Sequence, residues 1–272
     1  MKLFKNVIRK IKSYRERINQ SNTIITEVLQ AYFQAHTFIL KHPLKRYLLF
    51  SGLFFLILFS VSIRALLYGV SYLEQPITVW LLDQSVHYLT IDVDKIKTGI
   101  AAGFWLTRKI IEGNKDSIFL FLFFTIGVPY FSFISSKTEE YHTGKKYAFS
   151  LKNFFKELKR GLKISIYLNF KQLYWIIIIS LFSMIPYLGM ISPLFVFIVN
   201  TYYSGILMTD YSLERHQFNA EQSKVFYKNN KSKMFAIGLG MMFLLLIPVI
   251  GWFLAPTYAI VTSTLLLSDR EK

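Results

Sequence analysis

Side chains able to do chemistry are few in this sequence, and they are scattered. Five histidines (His36, His42, His87, His142 and His216) stand at no spacing that would let two of them share a metal. HExxH, GxSxG and a glycine-rich phosphate loop are all missing, and so is cysteine. That removes disulfides, cysteine–zinc sites, iron–sulfur clusters and a thiol nucleophile. Asp92 and Asp94 could ligate calcium, but no glycine or further ligand follows at loop spacing, and a helix cap explains them better. The carboxylates sit at polar boundaries, not inside apolar runs, which argues against a membrane-embedded proton relay. The expectation is a protein that is not an enzyme and uses no metal and no cofactor. Cations are abundant instead, with 32 Lys and Arg against 16 Asp and Glu and a formal net charge of +16. They flank apolar runs, so anionic lipid headgroups and the positive-inside bias account for them before nucleic acid does.

Those apolar runs define the class. Of 272 residues, 53 % are hydrophobic and 17 % aromatic, with a mean hydropathy of +0.37. An all-α integral membrane protein follows, with two long transmembrane helices and two broken helical hairpins. The hairpins are predicted over Tyr174–Met208 and Met234–Leu267. Each carries Ile-Pro-x-x-Gly and then a second proline: Pro186, Gly189 and Pro193 in the first, Pro248, Gly251 and Pro256 in the second. Proline removes a helical hydrogen bond, glycine permits the reversal, and the second proline is suited to open the returning helix. Cut there, each arm holds about 11–15 residues, or roughly 16–23 Å, short for a ~30 Å hydrocarbon core. Four full crossings are the alternative, with the same sidedness. Backbone exposed at such turns must be buried in protein or face water, and paired broken helices point to a transport pathway.

The remaining segments fall around these. Residues 1–37 form a basic amphipathic arm, with Leu3, Val7, Ile11, Tyr14 and Ile18 on one face, suited to an anionic lipid surface or to a partner. The opening stretch lacks the apolar core of a cleavable signal. A second stripe, Ile24, Val28, Tyr32 and Phe38, leads into a membrane domain over 38–267, which a polar tail, 268–272, follows. Spanning helices are predicted at Tyr47–Val70 and Ser117–Ile134. Arg64 near the end of the first either snorkels or lines a cavity. Residues 71–116, balanced in charge, form amphipathic helices beyond the membrane, turning near Thr90–Asp94. Basic flanks put both termini in the cytoplasm. Arg160 beside Gly161 is a candidate cation for a pore mouth or for lipid phosphate, and Gly238 and Gly240 suit packing between subunits.

Four segments in order resemble the EI24 domain family, whose bacterial members include the CysZ sulfate permeases. They are Ser135–Glu140 with Gly144; Leu158–Lys163; the first Ile-Pro-x-x-Gly hairpin; and Asp210–Arg215 (DYSLER), leading through Phe226, Tyr227 and Asn230 to the second hairpin. The resemblance implies two long membrane helices, two partly inserted hairpins, a homo-oligomer in a bacterial inner membrane, and conduction of a small anion, sulfate. It also implies an anion site at the turn opening the first membrane helix. Pro43-Leu44-Lys45-Arg46 stands there, with proline for the family's glycine and Lys45 for one arginine, so Lys45 and Arg46 are the candidate anion ligands. A helix start offers free N–H groups and partial positive charge to such an ion. The competing reading is a membrane scaffold or membrane-shaping protein of the same fold that transports nothing.

Overall fold

The structure, a computed structural model, describes residues 2–88, 93–144, 151–185 and 187–268, without the side chains of residues 2–21 and a few others. These residues form helices α1 (Lys2–Lys41), α2 (Lys45–Tyr88), α3 (Val93–Gly113), α4 (Lys115–Ile126), α5 (Val128–Thr143), α6 (Leu151–Phe182), α7 (Leu188–Arg215), α8 (Ala220–Asn229), α9 (Lys231–Leu245) and α10 (Ile250–Ser268). No strand occurs among them. Four helices, with α4 and α5 together as a fifth, are long and apolar enough to cross a membrane.

Both Ile-Pro-x-x-Gly segments reverse the chain, and they do so in the same way. Tyr187 (φ 70°) and Val249 (φ 62°), at matching positions, take up the left-handed conformation. The amides of Gly189 and Gly251 then donate to the carbonyls of Ile185 and Ile247, at 3.3 and 2.9 Å. Glycine is needed for close approach: a Cβ on Gly251 would fall inside the Leu244 carbonyl, and one on Gly189 would stand 2.7 Å from that of Ser183. Pro186 lies outside the described residues.

A β-branched residue at positive φ is strained by about 1–3 kcal/mol. Even after glycine's extra chain entropy, Val249→Gly is expected to stabilise the protein by about 1 kcal/mol. A thermal melt in detergent reads this directly, and an unchanged or lower midpoint would speak against strain at the turn.

Several expectations need correction. The second prolines do not open the returning helices: α7 starts at Leu188 and α10 at Ile250, so Pro193 and Pro256 lie inside them. The turn itself already supplies the reversal. The carbonyl that Pro193 leaves without its amide, Gly189 O, accepts instead from the Ser192 hydroxyl at 3.0 Å.

Arm lengths differ as well. The second hairpin has arms of 15 and 19 residues, ~22 and ~28 Å: α9 matches the expectation, whereas α10 exceeds it and is long and apolar enough to cross. The first has arms of 32 and 28 residues, ~48 and ~42 Å, enough to cross. The polar residues after Met208 continue the helix to Arg215, because they are buried in protein and need no exit into water.

The predicted span Ser117–Ile134 is bent by 64° between α4 and α5. Pro129 cannot donate to the Thr125 carbonyl, and Gly127 lets the Phe131 ring close over the bend. The other predicted span lies within the 44-residue α2, which runs on through Pro76. Beyond the apolar section α3 returns alongside it, the two tied by an ion pair between Arg108 and Glu74. Asp94 lies in the first turn of α3, while Thr90–Asp92 are outside the described residues. Arg64 is exposed on α2.

The closest helix contact is α7 on α9. A Cβ on Gly205 would fall inside the Met234 carbonyl, and one on Gly238 inside that of Thr201. Gly238 therefore packs helices of one chain together, and Gly240 seats the ring of Tyr32 from α1. The expectation that both serve contacts between subunits is corrected: small residues bring backbones together wherever a helix faces another.

The second half of α1 is docked by its apolar stripe. Val28, Ala31, Ala35 and Ile39 are buried. The Tyr32 hydroxyl donates to the Ile237 carbonyl at 2.7 Å, His36 Nδ1 bonds the Tyr258 hydroxyl at 2.7 Å, and Glu27 pairs with Lys233. The side chains of Leu3, Val7, Ile11, Tyr14 and Ile18 are outside the described set.

Candidate functional site

Sequence spacing puts Gly161, Ser165, Asn169, Gln172, Ile176 and Ser180 on one stripe of α6, at steps of three and four. Packing turns that stripe against α4 and α7, and its polar members meet partners one after another. Asn114 Nδ2, at the start of α4, donates to Ser180 Oγ at 2.8 Å. Gln172 Nε2 donates to Asn200 Oδ1, and Asn200 Nδ2 to Ser117 Oγ, both at 2.8 Å. Asn169 Nδ2 reaches Thr125 Oγ1 at 3.0 Å and Ser165 Oγ at 3.1 Å, and Ser165 donates to the Phe124 carbonyl at 3.1 Å. This polar seam lies inside apolar helices, and Asn169 and Gln172 are wholly buried. Among the described residues, Asn169 Oδ1 and Gln172 Oε1 have no hydrogen-bond partner. A buried amide oxygen left unpaired costs about 1–3 kcal/mol unless water reaches it.

At one end the seam opens into a cavity of about 750 Å³ between the hairpin tips, α2, α3 and α4. Phe55, Phe59, Trp105 and Trp252 supply its apolar wall; Ser183, Ser192, Asn200 and Lys109 add polarity. Trp252, just past the second turn, lies 5.5 Å from Phe55 and 5.9 Å from Phe59, ring centre to ring centre. Phe59 is 14 residues along α2 from Lys45, or ~21 Å, so the second turn ends within the apolar depth of α2.

At the other end, where α5, α6, α7 and α8 meet, charges are buried. Arg160 is 20 % exposed. It donates to Asp210 at 3.3 and 3.4 Å, to Ser223 Oγ at 2.8 Å and to the Phe218 carbonyl at 2.9 Å, with Glu214 3.9 Å away. Arg215 donates to Ser132 Oγ at 2.6 Å, and Ser132 to Glu214 at 3.3 Å. The Tyr227 hydroxyl bonds Asp210. Burial first, and then the Asp210 charge, push the Tyr227 phenol well above its ordinary range, so it remains a donor.

Two earlier readings change here. Arg160 does not face lipid: its donors are taken by buried acceptors, which a guanidinium fork satisfies better than a single headgroup does. Asp210 and Glu214, with Glu139, are 3–7 % exposed, so these carboxylates are not at a solvated boundary. Helices packing across the DYSLER segment enclose them.

Lys45 and Arg46 are exposed at the start of α2. Arg46 donates to the Tyr47 hydroxyl at 2.9 Å, its guanidinium carbon 4.9 Å from that ring's centre. The amides of Arg46 and Tyr47 are taken by the carbonyls of Pro43 and Leu44. These two cations join neither the seam nor the Arg160 cluster: Tyr47 packs on Phe133 of α5, whereas Ser132 turns to Glu214. Gly189 lies at the first turn, and Pro193 lines the cavity. Gly251 and Pro256 are buried, Gly251 at the second turn and Pro256 within α10; Pro248 is exposed.

Residues 31–256 match the family described as Sulfate transporter CysZ/Etoposide-induced protein 2.4, EI24. The chain belongs to the EI24 family. The match begins within the N-terminal arm, at the point where α1 docks on α9 and α10. No curated protein matches the chain. EI24 membership, with several helices of spanning length and apolarity, makes this a multi-pass integral membrane protein.

What the sequence reading missed are Asn114, Ser117, Asn169, Gln172, Ser180 and Asn200. Their signal was present: polar residues within apolar runs, on one helical face in α6, are costly without a use.

Proposed function

We propose that this EI24 protein conducts a small anion, sulfate by family, and uses no metal, cofactor or covalent chemistry. The observation that carries the reading is the polar seam between α4, α6 and α7, which leads from the cavity at the hairpin tips to Arg160. Its unpaired amide oxygens call for water, and a hydrated path is what an anion needs in an apolar interior. Arg160 and Arg215 provide the positive charge at the far end. Asp210 and Glu214 neutralise them, so the described arrangement is a closed one: an arriving anion competes with these carboxylates for the guanidinium donors. The basic end faces the cytoplasm by the positive-inside bias, with both termini there, in a bacterial inner membrane.

Reconstituted protein should pass radiolabelled sulfate. Gln172→Leu with Asn200→Leu is similar in size but cannot hold water, and should cut the flux more than tenfold with an unchanged chromatographic profile. Unchanged flux in that variant would move the path elsewhere. Wild-type flux equal to that of empty liposomes would favour the scaffold reading instead. Lys45→Ala with Arg46→Ala tests the turn of α2 separately.

A further inference from the structure

The outward face of α6 bears a feature that conduction does not use. Lys163, Tyr167 and Lys171 follow one another at steps of four and are all exposed. From α8, Lys224 places its ammonium 5.0 Å from the centre of the Tyr167 ring. Two elements thus place one ammonium group over the Tyr167 ring and two further lysines about one turn to either side of it on α6. Glu221 accepts from Lys224 at 2.8 Å. Lys224 is held in place by the fixed position of α8. Asn219 and Gln222 form a reciprocal cap at 2.9 and 2.8 Å, Ser223 accepts from Arg160, and Tyr227 bonds Asp210.

Further along the same face the character becomes apolar. Phe170, Tyr174, Ile177 and Leu181 are 61, 59, 44 and 47 % exposed, each about one turn after the last. A cationic patch with a phenol, continued by an apolar rail, matches a lipid whose headgroup carries negative charge and whose chains lie along the rail.

We propose that Lys163, Lys171 and Lys224, arranged around Tyr167, bind the phosphate of an anionic phospholipid, with an acyl chain running along Phe170, Tyr174, Ile177 and Leu181. A soluble phosphate or sulfate would use the ammonium groups and leave the rail bare, so the site is assigned to lipid. It is separate from the Arg160 cluster, whose donors point inward.

The test uses the full chain, purified in neutral detergent. Native mass spectrometry and thermal melts follow addition of phosphatidylglycerol, phosphatidylcholine, inorganic phosphate or sulfate. Phosphatidylglycerol should stay bound and raise the midpoint by several degrees, and the other three should not. The triple variant Lys163→Ala, Lys171→Ala, Lys224→Ala should keep its lipid-free midpoint and lose more than tenfold in phosphatidylglycerol affinity. Lys224→Gln alone, at an exposed position, should lose part of that affinity and serves if the triple variant does not fold. Equal binding of both phospholipids, or undiminished binding by the variants, would overturn the proposal. So would inorganic phosphate or sulfate stabilising as strongly as the lipid.

Discussion

Gly238→Leu is expected to leave no monodisperse protein, and Gly205→Leu to do the same. At both positions the α7 and α9 backbones touch, and an added side chain would overlap a carbonyl of the opposite helix. Overpacking costs about 1–3 kcal/mol when side chains can move aside. Here two main chains must part, and with them the contacts that join the hairpins, so about 3 kcal/mol is a lower bound. Gly69 and Gly99 serve as controls, since nothing lies within 4 Å of a Cβ at either. Alanine there should be neutral or stabilise by up to about 1 kcal/mol, as usual for glycine in a helix. Size-exclusion profiles of the four variants, expressed in parallel, provide the measurement. A monodisperse Gly238→Leu would mean that the crossing is not as close as described.

Arg160→Met is expected to destabilise by about 3–5 kcal/mol and, under the proposed function, to abolish sulfate flux. It removes the cation facing Asp210 and Glu214, both nearly buried, and an ion pair broken on one side leaves an uncompensated charge in a poor solvent. Lysine should rescue little, because a single ammonium cannot serve Asp210, Ser223 and the Phe218 carbonyl together. Arg160→Met combined with Asp210→Asn separates the two roles. Neutralising the stranded carboxylate should recover much of the melting temperature while sulfate flux stays at background. If the double variant conducted normally, Arg160 would be purely structural and the conduction path would need another charged end.

These two predictions differ in how much the sequence foretold. The glycines were visible as small residues in apolar helices, but not whether their partner was another subunit or the same chain. The arginine was visible as a cation beside Gly161, but the lysine-rich surroundings along α6 leave a pore mouth and lipid phosphate both open. Only folding Asp210–Arg215 back onto α6 shows that Arg160 sits among carboxylates. The seam was half legible. Ser165, Asn169 and Gln172 repeat at helical spacing, which fixes a common face but not what that face meets. Asn114, Ser117 and Asn200 come from α4 and α7, far away in sequence.

Local rules determined the class, the broken hairpins and their chemistry. Apolar run length, Ile-Pro-x-x-Gly and the basic flanks act over a few residues and need no partner to take effect. Tertiary structure alone decided the α7–α9 contact, the burial of Asp210 and Glu214, and the meeting of polar side chains inside the bundle. Each of these depends on which helix face is covered by which other, and that is set by the packing of the whole chain, not by any one stretch of it.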